Sequence, residues 1–178
     1  MRRIGLLLLL AGCTVVDAPY PATWDPLPSR PSDAAVDCRR FQGTYADRGE
    51  APGERAQPSL TRELFGQDSP WENAKSLRFD VVSDDVVEVT VNAAKPMTHQ
   101  FSAKTGDLSC ERGRLVLRSR RWVTSDLMAG RENVKIDLHQ SEPYLVAHVY
   151  ENTTGLMFMV VPLSGESARW FRFQRVTP

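Results

Sequence analysis

Ser76-Leu77-Arg78-Phe79-Asp80-Val81 and Asp85-Val86-Val87-Glu88-Val89-Thr90-Val91, joined by a Ser83-Asp84 turn signal, decide the fold. In both runs apolar side chains recur at every second position. That period buries one face of an extended strand and leaves the other to water, so the pair predicts an antiparallel hairpin. Further out, Arg114-Leu115-Val116-Leu117-Arg118-Ser119-Arg120 alternates the same way, with Leu115 and Leu117 on one face and Val116 among basic residues on the other. Phe41 to Tyr45, Met97 to Ala103, Val134 to His139, Tyr144 to Tyr150 and Arg169 to Gln174 read as further strands. Gly155 to Leu163 is a continuous apolar run, and within it Leu156 to Val161 is read as a core strand buried on both faces, with the wall of a ligand cavity as the alternative. Turn signals recur at Gly106, Gly130, Pro143, Gly155 and Gly165. About eight or nine short strands so punctuated predict an all-β chain, either a sandwich or a closed up-and-down barrel. Pro58 to Gly66 is the exception: Ser59 or Thr61 is placed to cap one short helical turn ending at Gly66 and lying across an end of the sheet.

The start of the chain carries an address. Met1-Arg2-Arg3 precedes an apolar run, Leu6 to Leu10, and then Ala11-Gly12-Cys13. A basic start, an apolar run and small residues before a cut form the pattern of a secretory signal, and the run is too short to span a bilayer. Leu10-Ala11-Gly12-Cys13 resembles the bacterial lipobox. The resemblance implies removal of residues 1–12, a diacylglyceryl thioether on Cys13 and an acyl chain such as palmitate on its freed amine. Two or three acyl chains hold a protein to a membrane permanently where one does not. Thr14 stands where an Asp would favour inner-membrane retention, which by Gram-negative sorting implies the outer membrane, periplasmic face.

The 22 basic and 22 acidic residues cancel, so no electrostatic footprint supports nucleic-acid binding. A hydrophobic content of 42% suits one domain with a true core. With Cys13 lipidated, Cys38 and Cys110 remain, and an oxidising compartment makes a disulfide between them the default. The competing reading, a free or metal-binding pair, has no CxxC spacing or clustered histidine behind it. Residues 13–37 hold Pro19, Pro21, Pro26, Pro28 and Pro31 with no apolar period, which predicts a disordered, semi-extended tether ahead of a domain at 38–178. Tyr20 and Trp24 are its two sticky points, with packing onto the domain or at the lipid interface as the alternative to a free stalk.

Cys38-x-x-Phe41-x-Gly43-x-Tyr45, Asp107-x-x-Cys110-x-x-Gly113-x-Leu115-x-Leu117 and the terminal Trp170-Phe171-Arg172-Phe173 resemble lipocalin-like lipoproteins of Gram-negative bacteria. Gly43 with Tyr45 is similar to the Gly-x-Trp signature that opens lipocalins, with Tyr in place of Trp. The resemblance implies an antiparallel up-and-down barrel in which a late arginine, such as Arg172, lies across that aromatic.

Catalytic signatures are wanting. His99, His139 and His148 fall on separate strands without HxH or HExxH spacing, which argues for strand histidines and against a metal site. Gly165-Glu166-Ser167 lacks the second glycine of a nucleophile elbow, and Asp84-Asp85 sits in a turn. No enzyme activity and no cofactor is expected. The basic cluster Arg112, Arg114, Arg118, Arg120 and Arg121 is read as a solvated strand face, with anionic headgroups as the sharper alternative. Two functions remain. One is a binding module for an apolar or amphipathic, lipid-like ligand in a barrel lined by Phe79, Val89, Leu115, Leu117, Leu138 and Phe158. The other is a protein-interaction lipoprotein, an assembly accessory or inhibitor with an envelope protein as partner, whose barrel is solid.

Overall fold

A computed structural model of the chain describes residues 18–28, 37–53, 57–66, 71, 73–111, 113–125, 127–158 and 160–176. The expected signal segment 1–12, Cys13, and residues 14–17 and 29–36 of the expected tether lie outside the described residues, as does Arg112. The alternating runs form nine strands: β1 Gly43–Ala46, β2 Ser76–Ser83, β3 Val86–Asn92, β4 Met97–Ser102, β5 Leu108–Glu111, β6 Arg114–Ser125, β7 Met128–Ser141, β8 Tyr144–Met157 and β9 Val161–Val176. They make one antiparallel sheet in the order β4-β3-β2-β1-β9-β8-β7-β6-β5. Strands adjacent in the sheet are adjacent in sequence, except where β1 meets β9. The all-β, antiparallel expectation holds.

Closure into a barrel does not. No pairing joins β4 to β5 among the described residues, so the sheet stays open at that seam. The local cause is visible. β5 pairs with β6 only from Leu108 to Glu111, leaving the edge of β6 beyond Leu117 without a strand. Phe65 packs there against His99 and Phe101 of β4 at centroid distances of 5.4 and 6.2 Å, setting aromatic rings where a ladder would run.

The sheet curls so that both halves share one core. Phe79 and Val89, paired across β2 and β3, meet Leu115, Leu117 and Leu138 from β6 and β7, with Tyr45, Leu145 and Phe173. Each is at most 1% exposed, and burying a side chain of this size contributes about 1.5–3 kcal/mol. A 3₁₀ turn, Cys38–Phe41, plugs one end with the fully buried Phe41. The expected Cys38–Cys110 disulfide ties that turn to β5, with Cα atoms 6.0 Å apart. Toward the other end lies α1, Leu60–Phe65, capped by Ser59 and stopped at Gly66 as the sequence suggested. Gly66 has φ 96°, a conformation that strains any side chain. The buried Asp47 carboxylate pins the start of α1, accepting from Ser59 Oγ at 2.9 Å and Thr61 N at 2.8 Å.

Three expectations are corrected. Residues 18–28 are not a free spacer but lie on the outer face of β9. Trp170 Nε1 donates to Ala18 O at 2.8 Å, Tyr20 meets the Trp170 ring edge-on at 5.0 Å, and Arg172 covers Trp24 at 5.0 Å. Rigid aromatics on a proline-fixed backbone have little freedom left to lose on docking. The arginine over Tyr45 is Arg175, its cross-strand partner, at 6.0 Å, whereas Arg172 lies over Trp24 and Tyr144. Finally, Gly155–Leu163 is not one core strand but the end of β8, a turn and the start of β9. Strands β6 to β9 run on past the curled half, and among the described residues no second layer faces them there. Leu156, Phe158, Val160 and Val161 are 45, 58, 75 and 45% exposed.

Candidate functional site

On the inner face of the four long strands the chemistry changes in steps. Leu115 and Leu117 on β6 give way to Ser119 and then Arg121; Ile136 and Val134 on β7 give way to Glu132. Val149 on β8 is followed by Glu151, and Phe171 on β9 is preceded by Arg169 and Ser167. Above the core, therefore, an ionic layer crosses the sheet. Arg121 pairs with Glu132, reaches Glu151 at 3.5 Å and donates to the Arg62 carbonyl of α1 at 3.1 Å. Arg169 lies 2.7 Å from Glu151 and 3.7 Å from Glu63 of α1, and Ser167 donates to Glu151 at 3.2 Å. Opposed charges this close hold one another and clamp the helix to the sheet.

Two arginines face three glutamates in this layer. Glu63 carries the surplus: burial, reinforced by the Glu151 charge and opposed by Arg169, pushes its carboxyl up to about 6.

Beside this layer, at the open seam, is a cleft of about 970 Å³. Leu64, Phe65 and Phe101 form an apolar wall beside the His99 ring, and Ser119, Arg121, Glu151 and Ser167 a polar one. Arg118, Arg120, Lys135 and Tyr150 also line it, although strand alternation puts them on the opposite face from Ser119 and Arg121. The space is thus no enclosed lumen; it wraps around the unpaired edge of β6.

The residues expected to line a ligand cavity lie elsewhere. Phe79, Val89, Leu115, Leu117 and Leu138 are close-packed in the core and do not line this cleft, and Phe158 stands exposed in the β8–β9 turn with φ 53°. The basic cluster is split: Arg114 pairs with the buried Asp137 at 2.9 Å, Arg118 with Glu111 at 3.6 Å, and Arg121 turns inward. His139 and His148 are buried beside Trp170 on the outer face, with the His148 ring stacked on Trp170 at 3.7 Å. His99 faces the cleft. Among the described residues no cluster is suited to a metal ion, and no helix is long and apolar enough to cross a membrane. Sequence reasoning put Arg121 on a solvated basic face and missed Glu132, Glu151 and Arg169. Their signal was parity, since Arg121 falls on the same alternate positions as Leu115 and Leu117.

The chain matches no protein-family model and no curated protein.

Proposed function

We propose that this chain is a membrane-anchored envelope lipoprotein that binds an amphipathic, lipid-like molecule in the seam cleft, not in a central calyx. In this reading Cys13 carries the lipid, the outer membrane's periplasmic face is the address, and the sheet is a lipocalin-like barrel unzipped between β4 and β5. The observation that carries it is the two-sided wall. Phe65 and Phe101 offer apolar surface, while Ser119, Ser167 and the Arg121–Glu151 pair offer polar partners across a space of about 970 Å³. Ligand sites combine a mostly apolar lining with a few placed polar groups in this way. The Cys38–Cys110 bond agrees with an oxidising compartment.

The packed interior favours a second reading, a protein-interaction lipoprotein with a solid core. Titration of the full chain with an apolar fluorescent amine, N-phenylnaphthylamine, separates the two. The first reading expects saturable binding that Ser119→Trp abolishes by filling the cleft. Equal dye binding by the parent and Ser119→Trp would turn the account to the second.

A further inference from the structure

The far end of the long hairpins is chemically unlike the rest of the surface. From Thr153 to Gly165 the sequence has no charged side chain, and from Trp122 to Gly130 it has only Asp126. Trp122 is 71% exposed and Leu127 56%, and with Phe158, Val160 and Val161 they make an apolar tip. The two turns form one unit: Met128 pairs with Met157, and Phe158 N donates to Leu127 O at 2.7 Å. Both sheet faces are apolar here, Leu156 and Pro162 on one, Met157 and Val161 on the other. At the base of the tip the charges return on both faces, as Arg120, Arg131 and Glu166 outside and Arg121 and Glu132 inside. Arg131 stacks over Trp122 at 5.5 Å, an aromatic and cationic pair at the boundary.

We infer that this tip inserts into a lipid leaflet, the same one that holds the lipid on Cys13; the inference rests on the lipoprotein reading above. Depth supports it. Four residues separate Arg131 from Leu127, about 13 Å of strand, and half a bilayer's hydrocarbon core is about 15 Å. The tip thus enters one leaflet without spanning the membrane. Charge complementarity supports it too, because on the outer face Arg120 and Arg131 outnumber Glu166 at the base of the tip, where anionic headgroups lie, while Arg121 and Glu132 neutralise each other inside. Both sheet faces being apolar fits lipid, which surrounds an inserted element, better than a partner protein seated on one side. Chain length supplies the third argument. The described segment passes from Trp24, beside Arg172, back to Ala18, beside Trp170, and so toward the tip. Five residues from Ala18 to Cys13 span at most about 17 Å, and four from Trp170 to Glu166 about 13 Å of strand. The acylated sulfur is therefore within reach of the level of Glu166, where the charges return and the headgroups lie. Asp126, between β6 and β7 in the sequence, limits how deep its turn goes and leaves the β8–β9 turn the deeper element.

The test uses the lipidated full chain in phosphatidylethanolamine–phosphatidylglycerol vesicles. An environment-sensitive nitrobenzoxadiazole label is placed at Val160→Cys, or at Val82→Cys on β2 as the control, with Cys38–Cys110 left oxidised. The expected result is flotation with vesicles, a blue shift at position 160 that brominated acyl chains quench, and water-like emission at position 82. Asp126→Asn should deepen the quenching. Flotation with water-like emission at position 160 overturns the insertion and leaves the anchor standing. A blue shift that bromine leaves untouched, appearing only with added envelope protein, overturns it in favour of a protein partner. Failure to float removes the anchor itself, and the inference with it.

Discussion

Glu63 offers the sharpest handle on the ionic layer. Its carboxyl sits under α1, 3.7 Å from Arg169, and burial raises its pKa from 4.5 to about 6. A raised value means that the folded protein holds this proton more tightly than the unfolded chain does. The stability it confers is fully present below pH 4.5 and lost as pH rises to about 6. The shift of about 1.5 units corresponds to about 2 kcal/mol. Glu63→Gln keeps the shape and removes the titration. Equilibrium urea unfolding followed by tryptophan fluorescence should find parent and variant alike at pH 4. By pH 7.5 the variant should be the more stable by about 2 kcal/mol. At this size that is roughly 6 °C in Tm. A gap that stays flat with pH, or that opens toward acid, refutes the argument. It would mean that Arg169 outweighs burial and holds Glu63 ionised.

Three further outcomes follow from the packing. Replacing Cys38 by Ser opens a loop whose ends are 72 residues apart and should remove about 4 kcal/mol, read as a lower urea midpoint. Leu117→Ala, in the core and away from the cleft, should cost about 2–5 kcal/mol while leaving dye affinity unchanged at temperatures where the variant is folded. Trp170→Phe removes the donor to Ala18 O and should make residues 18–28 cleavable by a protease that spares them in the parent, as mapped by mass spectrometry of the fragments.

Legibility in the sequence tracked the presence of a second layer. Where an apolar face meets a core, as at Leu77 and Phe79 or Leu115 and Leu117, alternation announced the strand and its inward side. The helix was legible because Ser59 and Gly66 supply its start and stop. β5 was not marked as a strand: it is four residues long and pairs on one side only. The tips of β6 to β9 misled because hydrophobicity there does not report burial; Leu156, Phe158, Val160 and Val161 read as core and stand exposed. Close approach at Gly130 and Gly155 was hidden for another reason. A Cβ on either would lie 2.5 Å from a carbonyl oxygen of the facing strand, so these paired glycines let β7 and β8 approach closely in mid-ladder and mark no turn. The open seam escaped entirely, since strand pattern says which face is buried and nothing about whether the last pair of edges meets. The cleft went with it: His99, Phe101 and Arg121 come together only because β4 and β5 do not.

Mass spectrometry under native conditions on the protein purified from its own envelope tests the central claim most directly. The account predicts a chain beginning at Cys13 with covalent acyl mass, carrying a second, dissociable lipid-sized mass that is missing in Ser119→Trp. A spectrum with the covalent lipid alone, identical for the parent and Ser119→Trp, contradicts it.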